Sequence, residues 1–190
     1  MTQLSINDNF VKPAADLTML SDIRTLRARA RKDIEEGAVT SGYAADRKVV
    51  IKLLNEALAT ELVCVLRYKR HYFMAKGIHS ESIKAEFLQH ANEEMAHADL
   101  LAKRITEPGG EPDFSPDGLS ERSHAEYVAG DTLHAMIKED LIAERIAIES
   151  YREMIAYLKD ADPTTQKLLK EILAMEEEHA EDLASLIGTM

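Results

Sequence analysis

Four stretches of this chain each carry an apolar stripe at alternating steps of three and four residues, and each stripe has ionisable groups set into it. That spacing keeps one face of a helix against its neighbours. The first stripe reads Val50, Leu54, Ala57, Glu61, Cys64 or Val65, Tyr68; the second reads Ile83, Phe87, His90, Glu94, His97, Leu101. The third reads Leu133, Ile137, Asp140, Glu144, Ala147, Tyr151, Met154, and the fourth Leu169, Ile172, Glu176, His179, Leu183, Leu186. A chain patterned this way packs helix on helix and must find a use for the charges it buries.

The punctuation fits four long helices. The first is expected from about Asp46 to Lys76, stopping at Gly77; the second runs from about Ser80 to Thr106 and ends at EPGGEP. A linker rich in Pro, Gly, Asp and Ser extends to about Arg122, followed by a short turn of helix. The third helix starts near Asp131, read as its N-cap, and runs to about Lys159. The turn KDADP puts Pro163 in the first turn of a fourth helix that runs to about Ile187. Two tight turns and one long connection describe two helical hairpins joined by a crossover. Residues 1–46 read as an extension with a short basic helix ending at Gly37, and residues 47–190 as the bundle.

Glu61 and Glu94 stand equally far from the turn at Gly77, and Glu144 and Glu176 equally far from the KDADP turn. Groups equidistant from the turn of an antiparallel hairpin are level. Each hairpin also adds a His three residues after its second Glu, His97 and His179. A single Glu-x-x-His is common in acidic helices and marks nothing by itself. Six such residues in register on four stripes are another matter. Four carboxylates close together in a core repel one another and are poorly solvated, whereas two divalent cations cancel four charges. Mixed carboxylate and imidazole donors suit iron or manganese, and zinc can also bind. One Glu from each of two helices and Glu-x-x-His from the other two is the ligand pattern of di-iron and di-manganese bundles.

Composition narrows the remaining classes. The net charge of −11 argues against a general nucleic-acid binder. Hydrophobic residues make up 45% and aromatics 5%, a mixture that favours helices. The single cysteine, Cys64, excludes an internal disulfide and a Cys-x-x-Cys metal site. The start lacks a basic region followed by an apolar run, and no stretch approaches a membrane span. The expectation is a cytoplasmic protein with no membrane partner. Arg24, Arg27, Arg29, Arg31 and Lys32 could touch DNA phosphate, but Asp33, Glu35 and Glu36 follow at once. A surface helix of mixed charge is the favoured reading.

LLNEALATELVCVLRY, NEEMAHADLLAKRI, DLIAERIAIESYREMI and KEILAMEEEHAEDL together resemble the bacterioferritin and DPS-like branch of the ferritin-like di-iron superfamily, over about Val49 to Ile187. The resemblance implies an all-α, ferritin-like antiparallel four-helix bundle with one long crossover. It implies that Glu94 and Glu176 bridge two irons, that Glu61 and Glu144 are terminal carboxylates, and that His97 and His179 are the nitrogen ligands. Tyr68 would be the tyrosine near the site, an electron donor or an aromatic filler. Asp140 would hydrogen-bond a ligating imidazole. Met95, directly after Glu94, corresponds to the methionine that binds haem b between two bacterioferritin subunits; the other use of such a residue is a dimer contact.

The implied activity is ferroxidase: Fe(II) is oxidised by O2 or H2O2 and stored as mineral in a homo-oligomeric shell of 12 or 24 subunits. A di-iron or di-manganese peroxidase, catalase or oxygenase shares the ligand set, and a DPS-like DNA-protecting shell shares the bundle. A rubrerythrin-type peroxidase would normally add an iron domain held by cysteines that this chain lacks. The chain also lacks the cysteine pair of some archaeal-type DPS-like proteins, and its extension is longer than that of ordinary bacterioferritins.

Overall fold

The computed structural model describes residues 21–77 and 80–188. The polar start, the first residues of the basic segment and the N-terminal residues read for a leader lie outside them. Six α-helices follow in order: α1 (Ile23–Arg29), α2 (Arg47–Met74), α3 (Ser80–Thr106), α4 (Leu119–Arg122), α5 (Leu133–Leu158) and α6 (Pro163–Gly188). The four long helices begin and end within two residues of expectation. The α5 cap differs: Thr132, not Asp131, accepts from the Ala135 amide. No helix among the described residues is long and apolar enough to cross a membrane.

Two apolar clusters fill the bundle. One gathers Val50, Leu54, Leu58, Leu101, Ile105, Met154, Leu158, Leu169 and Ile172. The other gathers Tyr68, Ile83, Phe87, Ala91, Met136, Ile137 and Leu183. Their order along each helix fixes the topology: α2 and α6 run from the first cluster towards the second, and α3 and α5 run back. The connection from α3 to α5 must therefore travel the length of the bundle. It does so along α2, whose side chains hold it in sequence. Asn55 accepts from the Asp113 amide, Thr60 from the His124 amide, and Arg67 and Arg70 donate to the Glu126 and Ala129 carbonyls. At its end Gly130 has φ 63°, and a Cβ there would lie 2.9 Å from the Met136 amide nitrogen, so the backbone admits no side chain.

Asp162, buried in the α5–α6 turn, caps α6 through the Thr165 amide at 2.9 Å and pairs with Arg104 on α3 at 3.0 Å. It also accepts from the Tyr43 hydroxyl at 2.7 Å, which ties the end of the extension to the bundle. By contrast α1 buries no residue, and its arginines are exposed. The helix expected to run to Gly37 stops at Arg29, so Asp33, Glu35 and Glu36 lie beyond it, the last two in a separate 3-10 turn.

Candidate metal centre

Between the two apolar clusters the core is polar. Glu61, Glu94, His97, Glu144, Glu176 and His179 come from four helices and are all buried, five of them to 1% exposure or less and His97 to 5%. They form two overlapping quartets, Glu61–Glu94–His97–Glu176 and Glu94–Glu144–Glu176–His179, with donor atoms within 4.8 Å of one another in each. Glu94 and Glu176 belong to both. A pair of ions seated in the quartets would share those two carboxylates and keep one further Glu and one His each.

Both imidazoles turn Nδ1 inward. His97 Nδ1 lies 3.0 Å from Glu176, 3.3 Å from Glu94 and 3.5 Å from Glu61. His179 Nδ1 lies 3.5 Å from Glu94 and from Glu176. Seven buried side-chain polar atoms among the described residues have no hydrogen-bond partner, and five of them are here: Glu94 Oε1, Glu144 Oε2, both Glu176 carboxylate oxygens and His179 Nδ1. Orphans of this kind cost on the order of 1–3 kcal/mol each, so a core that concentrates them needs a compensating charge. Divalent cations supply it, and the donor set fits them.

The protonation pattern without metal shows the same strain. Burial, reinforced by Glu94, pushes Glu61 up to about 8. Burial, with repulsion from Glu94 and Glu176, holds Glu144 well above the usual carboxylate range. Burial also opposes a charge on Glu94, but the neighbouring Glu61, His179 and His97 outweigh it and lower its pKa. Burial opposes imidazolium at His179, yet Glu176 and Glu94 lift it to about 11. The same contest, won by Glu176, Glu61 and Glu94, raises His97. Without metal, protons do what cations would otherwise do.

A ferritin-like domain model matches residues 51–190. The chain belongs to the ferritin-like family. Its relatives include the bacterioferritin of Desulfovibrio desulfuricans, 30% identical over 141 residues that make up 73% of this chain and 75% of that protein. A nutrient stress-induced DNA-binding protein of Synechococcus sp. is 29% identical over 71% of this chain and 78% of its own. Among solved structures, the bacterioferritin-related protein of Bacteroides fragilis, a dodecameric thioferritin, matches with a TM-score of 0.74 at 32% identity, covering 77% of this chain and 88% of that one. Dps from Thermosynechococcus elongatus shares the fold with a TM-score of 0.71 at 21% identity, over 74% and 90% of the two chains. Within that family the bacterioferritin and the bacterioferritin-related protein match at 30% identity or more, and Dps shares the fold.

Within this ferritin-like bundle Tyr68 stands beside the polar layer, its hydroxyl donating to Glu144. Tyr151 donates likewise to Glu61, a contact the sequence reading left unassigned. Asp140 departs from expectation. Its carboxylate accepts from Arg67 Nε and meets His71 Nδ1, each at 2.8 Å, rather than touching His97 or His179. The crossover explains this, because Arg67 and His71 reach it at the Glu126 and Ala129 carbonyls and Asp140 holds both side chains from behind. The acid that does orient an inward-facing imidazole is Glu93, 3.0 Å from His179 Nε2. Met95 lies outside the polar layer, 40% exposed on α3.

Proposed function

We propose that this protein is a ferroxidase that binds two Fe(II) between Glu61, Glu94, His97, Glu144, Glu176 and His179. The observation that carries the reading is the cluster of five orphaned buried atoms, all on these residues. Two Fe(II) supply the two electrons that convert H2O2 to water or O2 to peroxide, so no single-electron product need leave. The residues set the conditions for that chemistry. Glu94 and Glu176, shared by the two quartets, hold the ions close together. Glu93 fixes the His179 ring so that Nδ1 keeps its lone pair on the site, and the burial of all six excludes bulk water. Tyr68 and Tyr151 hold the outer carboxylates from opposite sides and offer oxidisable phenols next to them.

Relatives that include a bacterioferritin and a dodecameric thioferritin support a closed shell of identical subunits in which the ferric product is stored. Light scattering at micromolar protein should give one discrete large particle; a monomer would refute the shell. Met95 exposes enough of its side chain to meet a second copy across a subunit contact, as a haem shared by two sulfurs would require. A Soret band lost in Met95→Ala would assign it that role, and a protein that takes up no haemin leaves it a packing residue. The ferroxidase reading itself is tested by Fe(II) oxidation. Glu94→Ala/Glu176→Ala should abolish the fast phase while keeping the helical circular dichroism. Oxidation at the wild-type rate would overturn the assignment.

A further inference from the structure

His90 is fully buried on α3, one turn before Glu94, and has none of the roles described above. Its ring stacks on His179, with centroids 4.1 Å apart and planes at 22°. Nδ1 lies 3.2 Å from the Tyr68 hydroxyl oxygen. When Glu144 is ionised, as a metal-bound carboxylate is, Tyr68 must spend its only proton on it. The phenol oxygen can then only accept from His90, and Nδ1 becomes the protonated nitrogen of the ring.

Nε2 is left with a lone pair and no hydrogen. It faces Glu86 Oε1 at 3.2 Å and Asp182 Oδ2 at 3.9 Å, and it has no hydrogen-bond partner. Three electron-pair donors from α3 and α6 therefore converge with no proton among them. The Glu86 and Asp182 carboxylates face the same ring nitrogen and repel one another across it. A cation removes all of it at once.

We propose that His90 Nε2, Glu86 and Asp182 form a third cation site in each subunit, separate from the paired site and suited to a divalent transition metal. An ion about 2.0–2.2 Å from each donor sets neighbouring donors roughly 3–3.6 Å apart. The observed separations of 3.2 and 3.9 Å need only a small movement of one partly exposed carboxylate. One imidazole nitrogen with two carboxylate oxygens suits Fe(II), Co(II) or Zn(II) over hard calcium. The side chains of Glu86 and Asp182 are 30% and 48% exposed, so an ion can arrive from the surface. It then waits one stacked ring away from the pair. The geometry, a buried ring nitrogen without a hydrogen-bond partner beside two carboxylates, is independent of the ferroxidase reading; the tautomer that opens Nε2 and delivery of Fe(II) to the pair rest on it.

The test is anomalous diffraction at the cobalt edge from crystals of the full chain soaked in Co(II), wild type against Glu86→Gln/Asp182→Asn. Both substitutions keep side-chain size near the surface and leave the core intact. The wild type should show a peak about 2.2 Å from His90 Nε2, and the double variant should lose that peak alone. No peak at His90 in the wild type, or one undiminished in the variant, would overturn the proposal. Peaks missing between the six residues with the His90 peak present would instead refute the paired site.

Discussion

Tyr151 on α5 donates its hydroxyl proton to Glu61 on α2, and seven residues after Glu61 on that helix Tyr68 donates to Glu144, which itself stands seven residues before Tyr151. Each hairpin thus lends the other a phenol, and the two halves of the polar layer are equivalent in support as well as in charge. Partners of this kind typically cost 10–100-fold in metal affinity or activity when removed. Tyr68→Phe and Tyr151→Phe should therefore each weaken metal binding by about 10-fold, to similar extents, in competition titrations against a chelator. A large loss for Tyr68 and none for Tyr151 would contradict the equivalence.

The pH dependence of stability should change sign when metal binds. In the metal-free protein Glu61 is raised from 4.5 to about 8, and His179 from 6.5 to about 11. A raised folded-state pKa means that the native chain holds the proton more tightly than the unfolded one. Its contribution is complete below the unfolded value and lost as pH rises through the folded one. Metal-free protein should lose urea resistance progressively from pH 4.5 towards 11. Ions need deprotonated ligands, so binding should release protons and tighten as pH climbs towards 8. Calorimetry in two buffers of different ionisation enthalpy measures that release; uptake of protons on binding would contradict the account.

Asp140 is fully buried and holds two cationic or proton-bearing partners, Arg67 and His71, that in turn grip the crossover. Removing one partner of a buried ion pair leaves the other charge uncompensated, at roughly 3–5 kcal/mol. Asp140→Ala should lower unfolding free energy by about that amount in urea and increase amide exchange across residues 123–132. A loss under about 1 kcal/mol would show that the network is dispensable.

The convergence of the six residues was legible because its information is local to each helix. A Glu at the right height on each stripe, and a His one turn after two of them, survive translation into structure whatever the loops do. The partner of Asp140 was not legible, since it depends on the path of the crossover, and nothing in the periodicity of α5 says that Arg67 and His71 will meet that connection beside it. Glu93 escaped for a related reason. It sits one residue off the apolar stripe, where the pattern reads a solvated acid, and only the approach of α6 brings His179 Nε2 to it. His90 stood in the stripe from the start, but its unpartnered nitrogen is visible only once α6 places Asp182 opposite.

The central claim is that the polar layer seats two ions between the hairpins. Anomalous diffraction at the iron edge, from crystals soaked anaerobically in Fe(II), tests it most directly. Two peaks are expected in the bundle core about 3.5–4 Å apart, as in two-metal sites generally. One peak should lie within bonding distance of Glu61 and His97, the other of Glu144 and His179, with Glu94 and Glu176 shared. Iron density confined to the protein surface, with the six residues bonded only to one another, would contradict it.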